Sequence, residues 1–317
     1  MIRLSSGARL VEVERSGVVE SVHTGHVVVL GADGRIRFSA GQPEQVVFAR
    51  SSLKPLQAVG MLAAGVRLSP SETALAASSH SGSDQHRSLI AQTLQLAGLS
   101  EADLACPPAL PVGEDERRAY LAAGHAESRL AMNCSGKHAA MLLTCLTNDW
   151  PVSGYVAPSH PLQQVLAATV AELAGERVAA VAVDGCGAPL FGISLISVAR
   201  AFSRIATQDG DLARVAEAMR NYPELVGGEQ RPVTTLMRRI PGLIAKDGAE
   251  GGFAMALPDG GALAVKIDDG ANRAASCAAA WALHHLGVEP GLLAELAAEP
   301  VLGGGEPVGA VRPAPGW

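Results

Sequence analysis

A chain of 317 residues has room for one large domain or two small ones, and 48% apolar residues are ample for a core that, with only 3% aromatics, must be filled by Ala, Val and Leu. A net charge of −6, without any Lys/Arg cluster, argues against a nucleic-acid partner. No run of 18 apolar residues suggests a membrane span, and Met1–Gly7 lacks the apolar centre of a secretory leader, so a cytoplasmic protein is expected.

Residues 8–50 read as β structure. Leu10–Glu14 and Val18–Val22 are strand-like, and His26–Leu30 leads through the turn Ala32-Asp33-Gly34 to Ile36–Phe38. After Lys54 the texture becomes helical, with Leu56, Val59, Gly60 and Leu62 on about three turns. Pro55 fits a first helical turn yet biases Lys54 away from helical backbone, which places Ser51 and Lys54 at the extreme N-terminus of that helix. Ser71–Ala77 starts a capped helix, Ser78–Gly82 is a polar turn, and Arg87–Leu96 is helical. Residues 100–130 are mixed, Gly136–Leu146 is helical, and 159–174 carries a helical apolar face. Val178–Val183 is wholly apolar and reads as a buried strand, ending in Asp184-Gly185-Cys186-Gly187. Helices are expected over 190–205 and 211–221, the second capped by Asp211. Lys246-Asp247-Gly248 reads as a helix end and turn. Gly252–Ile267 follows as a hairpin around Pro258–Gly261, with Lys266 on the face of Ala262 and Ala264. Asp268-Asp269-Gly270 opens a helix over 271–286. Residues 300–317 are an edge segment or tail. No repeat or long linker divides the chain, so a single domain over 1–317 is expected.

Ser51-Ser52-Leu53-Lys54 is the most informative stretch. On a helix, positions i and i+3 share a face about 5–6 Å apart, so a neutral lysine can take the serine proton and activate the hydroxyl as a nucleophile. The ordinary lysine pKa is about 10.4, so the amine needs burial or a neighbouring cation. Lys266 is the expected neighbour, although a solvated strand lysine fits its spacing too. Ser79, with His80 beside it, lies in a Ser/Gly turn that suits a proton relay or a helix cap. Five cysteines, Cys106, Cys134, Cys145, Cys186 and Cys277, are an odd number and suit buried thiols or ligands better than a disulfide framework. Cys134 and Lys137, one turn apart, and Asp184 with Cys186 on another loop, are zinc-site candidates. Two buried structural cysteines are the simpler reading of the spacing. Lys246-Asp247-Gly248 is similar to the Lys-Thr-Gly element of serine β-lactamases, a match too short to weigh alone.

Taken in order, Gly17–His23, Arg50–Pro55, Ser78–Gly82, Asn133–His138, Asp184–Gly187 and Lys266–Gly270 resemble the asparaginase II, or Rhizobium-type, family of thermolabile bacterial L-asparaginases. The resemblance implies an α+β fold like the serine β-lactamases and glutaminases: an antiparallel sheet flanked by helices. It implies hydrolysis of L-asparagine to L-aspartate and ammonia by two Ser–Lys pairs, Ser51 with Lys54 and Ser79 with Lys266. It implies zinc held by Cys134, Lys137 and Cys186, near the substrate and not activating the nucleophile, and it implies a homodimer. Arg50 or Arg273 suits the substrate carboxylate, Asp184 or Asp269 its amine, and His80 is a further substrate contact. A β-lactamase or penicillin-binding relative, and a non-catalytic zinc-binding module on the same fold, are the competing readings.

Overall fold

The computed structural model describes residues 6–317, so most of the segment read for a leader lies outside the described residues. The main sheet is built from β1 (Ala8–Arg15), β2 (Val18–Leu30), β3 (Ile36–Ala40), β7 (Ile244–Gly248), β8 (Gly252–Ala256), β9 (Ala262–Ile267), β10 (Glu299–Gly303) and β11 (Glu306–Pro313). Its order is β10-β11-β1-β2-β9-β8-β7, with β3 paired to β2 as well, and every pairing is antiparallel. Strand β2 is one continuous strand where the sequence suggested two. Its first half pairs with β1, and its second half, from Gly25, is flanked by β9 and β3. Changing partners along one strand lets the antiparallel sheet curl.

A second, three-stranded sheet is formed by β4 (Val46–Phe48), β5 (Ala180–Val183) and β6 (Pro189–Ser194), with β6 central. Two expectations change here. The apolar run over 178–183 holds an edge strand, β5, and not a buried one: Val181 and Val183 remain 54% and 74% exposed, with nothing among the described residues covering them. The helix expected over 190–205 begins only at Leu195, because its first residues are the buried strand β6. Ser194 ends that strand and caps the helix, accepting from the Ser197 N–H. An apolar run cannot distinguish a buried strand from a helix start by composition alone.

Helices Leu195–Thr207 and Asn272–Ala282 both pack on β8 and β9, and β9 is buried along its whole length. Helices Lys54–Ala63, Pro70–Ala76, Ser135–Thr147, Pro161–Ala174 and Asp211–Asn221 form the adjoining helical layer. The last of these is preceded by Gly210 as N-cap, so Asp211 is its first residue and makes no side-chain cap. In the first, Leu56, Ala58, Met61 and Leu62 are buried on a helix of mostly small side chains, as the low aromatic content required. Burying a Leu or Met contributes roughly 1.5–3 kcal/mol. Fold class α+β, with an antiparallel sheet flanked by helices, describes this arrangement.

Candidate active site

A 3-10 turn over Arg50–Leu53 runs directly into the helix that begins at Lys54, with Pro55 second. Lys54 is helical (φ −62°, ψ −37°) despite the proline after it. Tertiary contacts override the local bias: its Nζ donates to Ser78 O at 2.5 Å, Ser79 Oγ at 3.0 Å and Cys134 Sγ at 3.1 Å. Ser51 lies in the turn before it and is nearly buried. The neighbouring serines are engaged elsewhere. Ser78 Oγ donates to Leu75 O, and Ser81 Oγ donates to Glu116. Within the 78–81 turn, Ser79 is thus the serine whose hydroxyl meets the lysine.

Strand β7 passes in front of the Ser51 turn. Gly248 allows this approach: a Cβ there would stand 2.3 Å from Ala49 O and 3.0 Å from Ser52 Oγ. Ser52 Oγ in turn donates to Lys246 O at 3.1 Å. Residues 246–248 are therefore strand, not a helix end, and Lys246 is wholly buried. Its amine is ion-paired to Asp247, which Arg231 also holds. Burial pushes the Lys246 pKa down, Asp247 opposes and nearby Lys54 assists, leaving it at about 8. Burial alone would raise the Asp247 carboxyl, but Lys246 and Arg231 hold it well below the usual carboxylate range.

Lys266 does not take the place expected of it. It sits on β9, whose register with β8 and then β7 puts Lys246 level with Ala254 and Ala264. Two strand spacings, roughly 10 Å, separate the two lysines laterally. The Lys266 amine donates to the Ile267 carbonyl at 2.5 Å. Of the two, Lys246 is the lysine that feels the charge of Lys54. Lys-Asp-Gly has the composition of a turn, which masks a strand lysine. The available signal was the glycine two residues on, followed by an alternating apolar hairpin.

The cysteine cluster closes the other side of Lys54. Cys134 immediately precedes the helix Ser135–Thr147, Lys137 lies on its first turn, and Cys186 comes from the loop after β5. Lys137 Nζ is 3.2 Å from Cys186 Sγ. The two thiols share a hydrogen bond that pulls Cys186 far down; burial opposes, and Lys137 and His138 assist. The same bond, with burial, raises Cys134. His138 donates or accepts at Nδ1 with Tyr155 Oη at 2.7 Å, while its buried Nε2 has no conventional partner and lies near Cys186. No group of three His, Cys, Asp or Glu residues is set for a metal among the described residues. Two thiols and a buried amine do fit a soft divalent ion, and His138 Nε2 faces the same cluster at Cys186.

Arg50 and Asp184 are brought together, Nε to Oδ1 at 2.7 Å. His80 is fully buried, its Nε2 2.9 Å from Ser135 Oγ and its ring stacked on His86. Burial, then His86, Lys54 and Arg87, lower its pKa well below the usual imidazole value. Asp269 pairs with His23 at 2.6 Å, at the far end of β9.

A model of the L-asparaginase II family matches residues 11–313. The chain belongs to the L-asparaginase II family. No curated protein matches it.

Proposed function

We propose that the chain hydrolyses the side-chain amide of L-asparagine to L-aspartate and ammonia through an acyl-enzyme on Ser51. The observation that carries this is the buried Lys54 amine, 3.0 Å from Ser79 Oγ and one helical turn from Ser51. Ser51 Oγ attacks the amide carbon, and Lys54 takes the hydroxyl proton. The carbon–nitrogen bond breaks as the nitrogen receives a proton through Lys54 and Ser79, and ammonia leaves. Water, deprotonated by the same relay, then hydrolyses the β-aspartyl ester and returns the proton to Ser51. Lys246 takes the part expected of Lys266: a second buried amine, its own pKa held down to about 8.

In the same reading, Cys134, Lys137 and Cys186 hold zinc. Bound there, the metal supplies positive charge beside the substrate's polar groups. The Ser-x-x-Lys turn, faced by an antiparallel strand carrying Lys246-x-Gly248, supports kinship with the serine β-lactamase fold. A cytoplasmic homodimer of single-domain chains completes the proposal, and light scattering tests its mass. The deciding experiment is ammonia release from L-asparagine and L-glutamine, with and without chelator. Release from asparagine supports the reading. Turnover of a β-lactam without ammonia release from either amide would reject it.

A further inference from the structure

Of the 25 Lys and Arg residues, only four are lysines, Lys54, Lys137, Lys246 and Lys266, and the other 21 are arginines. All four lysines are buried, whereas none of the arginines among the described residues is. The two side chains differ in one chemical respect that burial exposes. A guanidinium keeps its proton, but a buried amine gives one up and then offers a lone pair. Lys54, Lys137 and Lys246 belong to the site already described. Lys266 is the fourth, and the reaction at Ser51 does not use it.

Lys266 lies on β9, is only 7% exposed, and lines a cavity of about 370 Å3, within the size range of small-molecule sites. Its amine donates to one backbone carbonyl, that of Ile267, and has no ion pair among the described residues. Burial lowers its pKa, and Asp268, Glu250 and Asp269 only partly restore it. Two other charged groups of the cavity are already engaged. Arg50 is paired with Asp184; Asp268 accepts from Gly7 N and Thr24 Oγ1 and lies 3.4 Å from His26. Phe48 and Leu190 give the cavity an apolar side. The cavity thus joins a nucleophilic amine to an apolar wall.

We propose that Lys266 is a carbonyl-reactive lysine, which forms an imine with a small apolar aldehyde bound against Phe48 and Leu190. The amine nitrogen adds to the carbonyl carbon. Both of its protons leave with the carbonyl oxygen as water, and a carbon–nitrogen double bond remains. One proton from solvent converts the imine to an iminium. That cation sits beside Glu250 and Asp268, whose charges favour it. The same carboxylates disfavour addition to carbon dioxide, because a carbamate would set a further negative charge beside them. They select an uncharged carbonyl compound over an oxo acid for the same reason. Ser51, Lys54 and Lys246 take no part, so the asparagine reading stands or falls on its own assay.

Benzaldehyde with cyanoborohydride at neutral pH tests the proposal on the intact protein. Hydride adds to the imine carbon and fixes the adduct as a secondary amine, which peptide mass mapping locates. Lys266 is expected to be benzylated at least tenfold faster than Lys54, Lys137 or Lys246. It is also expected to react at least tenfold faster than in the urea-unfolded chain, where a lysine amine is nearly all charged. 4-Formylbenzoate carries the same ring with a carboxylate. Relative to the rates of the two aldehydes with free Nα-acetyl-lysine, it should label folded Lys266 at least tenfold more slowly than benzaldehyde does, and Glu250→Gln should narrow that gap. Lys266 left unlabelled, or labelled no faster than in the unfolded chain, would overturn the proposal. Equal labelling by the two aldehydes would overturn the preference for an uncharged carbonyl.

Discussion

The Lys246 amine is the group at the site that the sequence hid. It is buried, tied to Asp247, and held at a pKa of about 8 against an ordinary 10.5. Replacing it with Met removes the second amine, and kcat for asparagine is expected to fall about 100-fold or more, within the range for lost proton-transfer catalysis. Lys266→Met is expected to keep kcat within a fewfold, the reverse of the order that the motif alignment suggested. Comparing the two kcat values by ammonia release checks this. The pH dependence follows by linkage. Because the folded-state pKa is depressed, the unfolded chain binds more protons between about 8 and 10.5, and stability rises with pH across that window. Below about 8 the buried charged amine weighs fully against folding. Urea midpoints of the wild type should therefore climb from pH 8 to pH 10 relative to Lys246→Met. Parallel midpoints for both proteins would contradict the assignment.

Among the elements, β7 and the Ser51 turn must meet closely, and Gly248 sets the distance. Gly248→Ala puts a methyl 2.3 Å from Ala49 O, so either the strand or the turn must move. Overpacking of this kind costs about 1–3 kcal/mol, and kcat should fall at least tenfold because the Lys246 and Ser51 elements separate. A thermal melt and a kcat measurement on the same sample test both halves, and an unchanged kcat would show that the approach does not matter. This meeting also shows what was legible in the sequence. The Ser-x-x-Lys spacing, the 252–267 hairpin and the Cys134–Lys137 turn were readable because each depends on local period and turn residues. The places of Lys246 and Lys266 were not, because strand order decides them: β7 is the outermost strand and lies over the turn, while β9 is two strands in. Nor could the apolar run 180–183 announce itself as an edge, since exposure depends on what the rest of the chain leaves uncovered.

At the scale of the whole molecule, the two ends of the chain close the sheet together. Strand β11 pairs with β1, Ala314 N donates to Leu10 O at 2.9 Å, and the Trp317 indole donates to Leu10 O at 2.9 Å. Deleting residues 299–317 would bare the β1 edge and expose unpaired backbone. Such a protein is expected to aggregate or to lose cooperative unfolding, and a sharp two-state melt would contradict that view. Helices from the middle of the chain bring Lys54, Ser79, Cys134 and Lys137 to one place, and the Cys186 loop completes the set. Zinc at about one equivalent per chain is expected in protein purified without added metal, measured by elemental analysis. Protein without metal, both thiols freely alkylated, would remove zinc from the account. No helix is long and apolar enough to cross a membrane among the described residues. The central claim is that Ser51 carries the acyl group, and ammonia release from L-asparagine by Ser51→Ala tests it most directly. A fall in kcat of about 1,000-fold or more is expected, the scale on which a lost serine nucleophile is felt. Hydrolysis within tenfold of the wild type, from a folded Ser51→Ala protein, would contradict it.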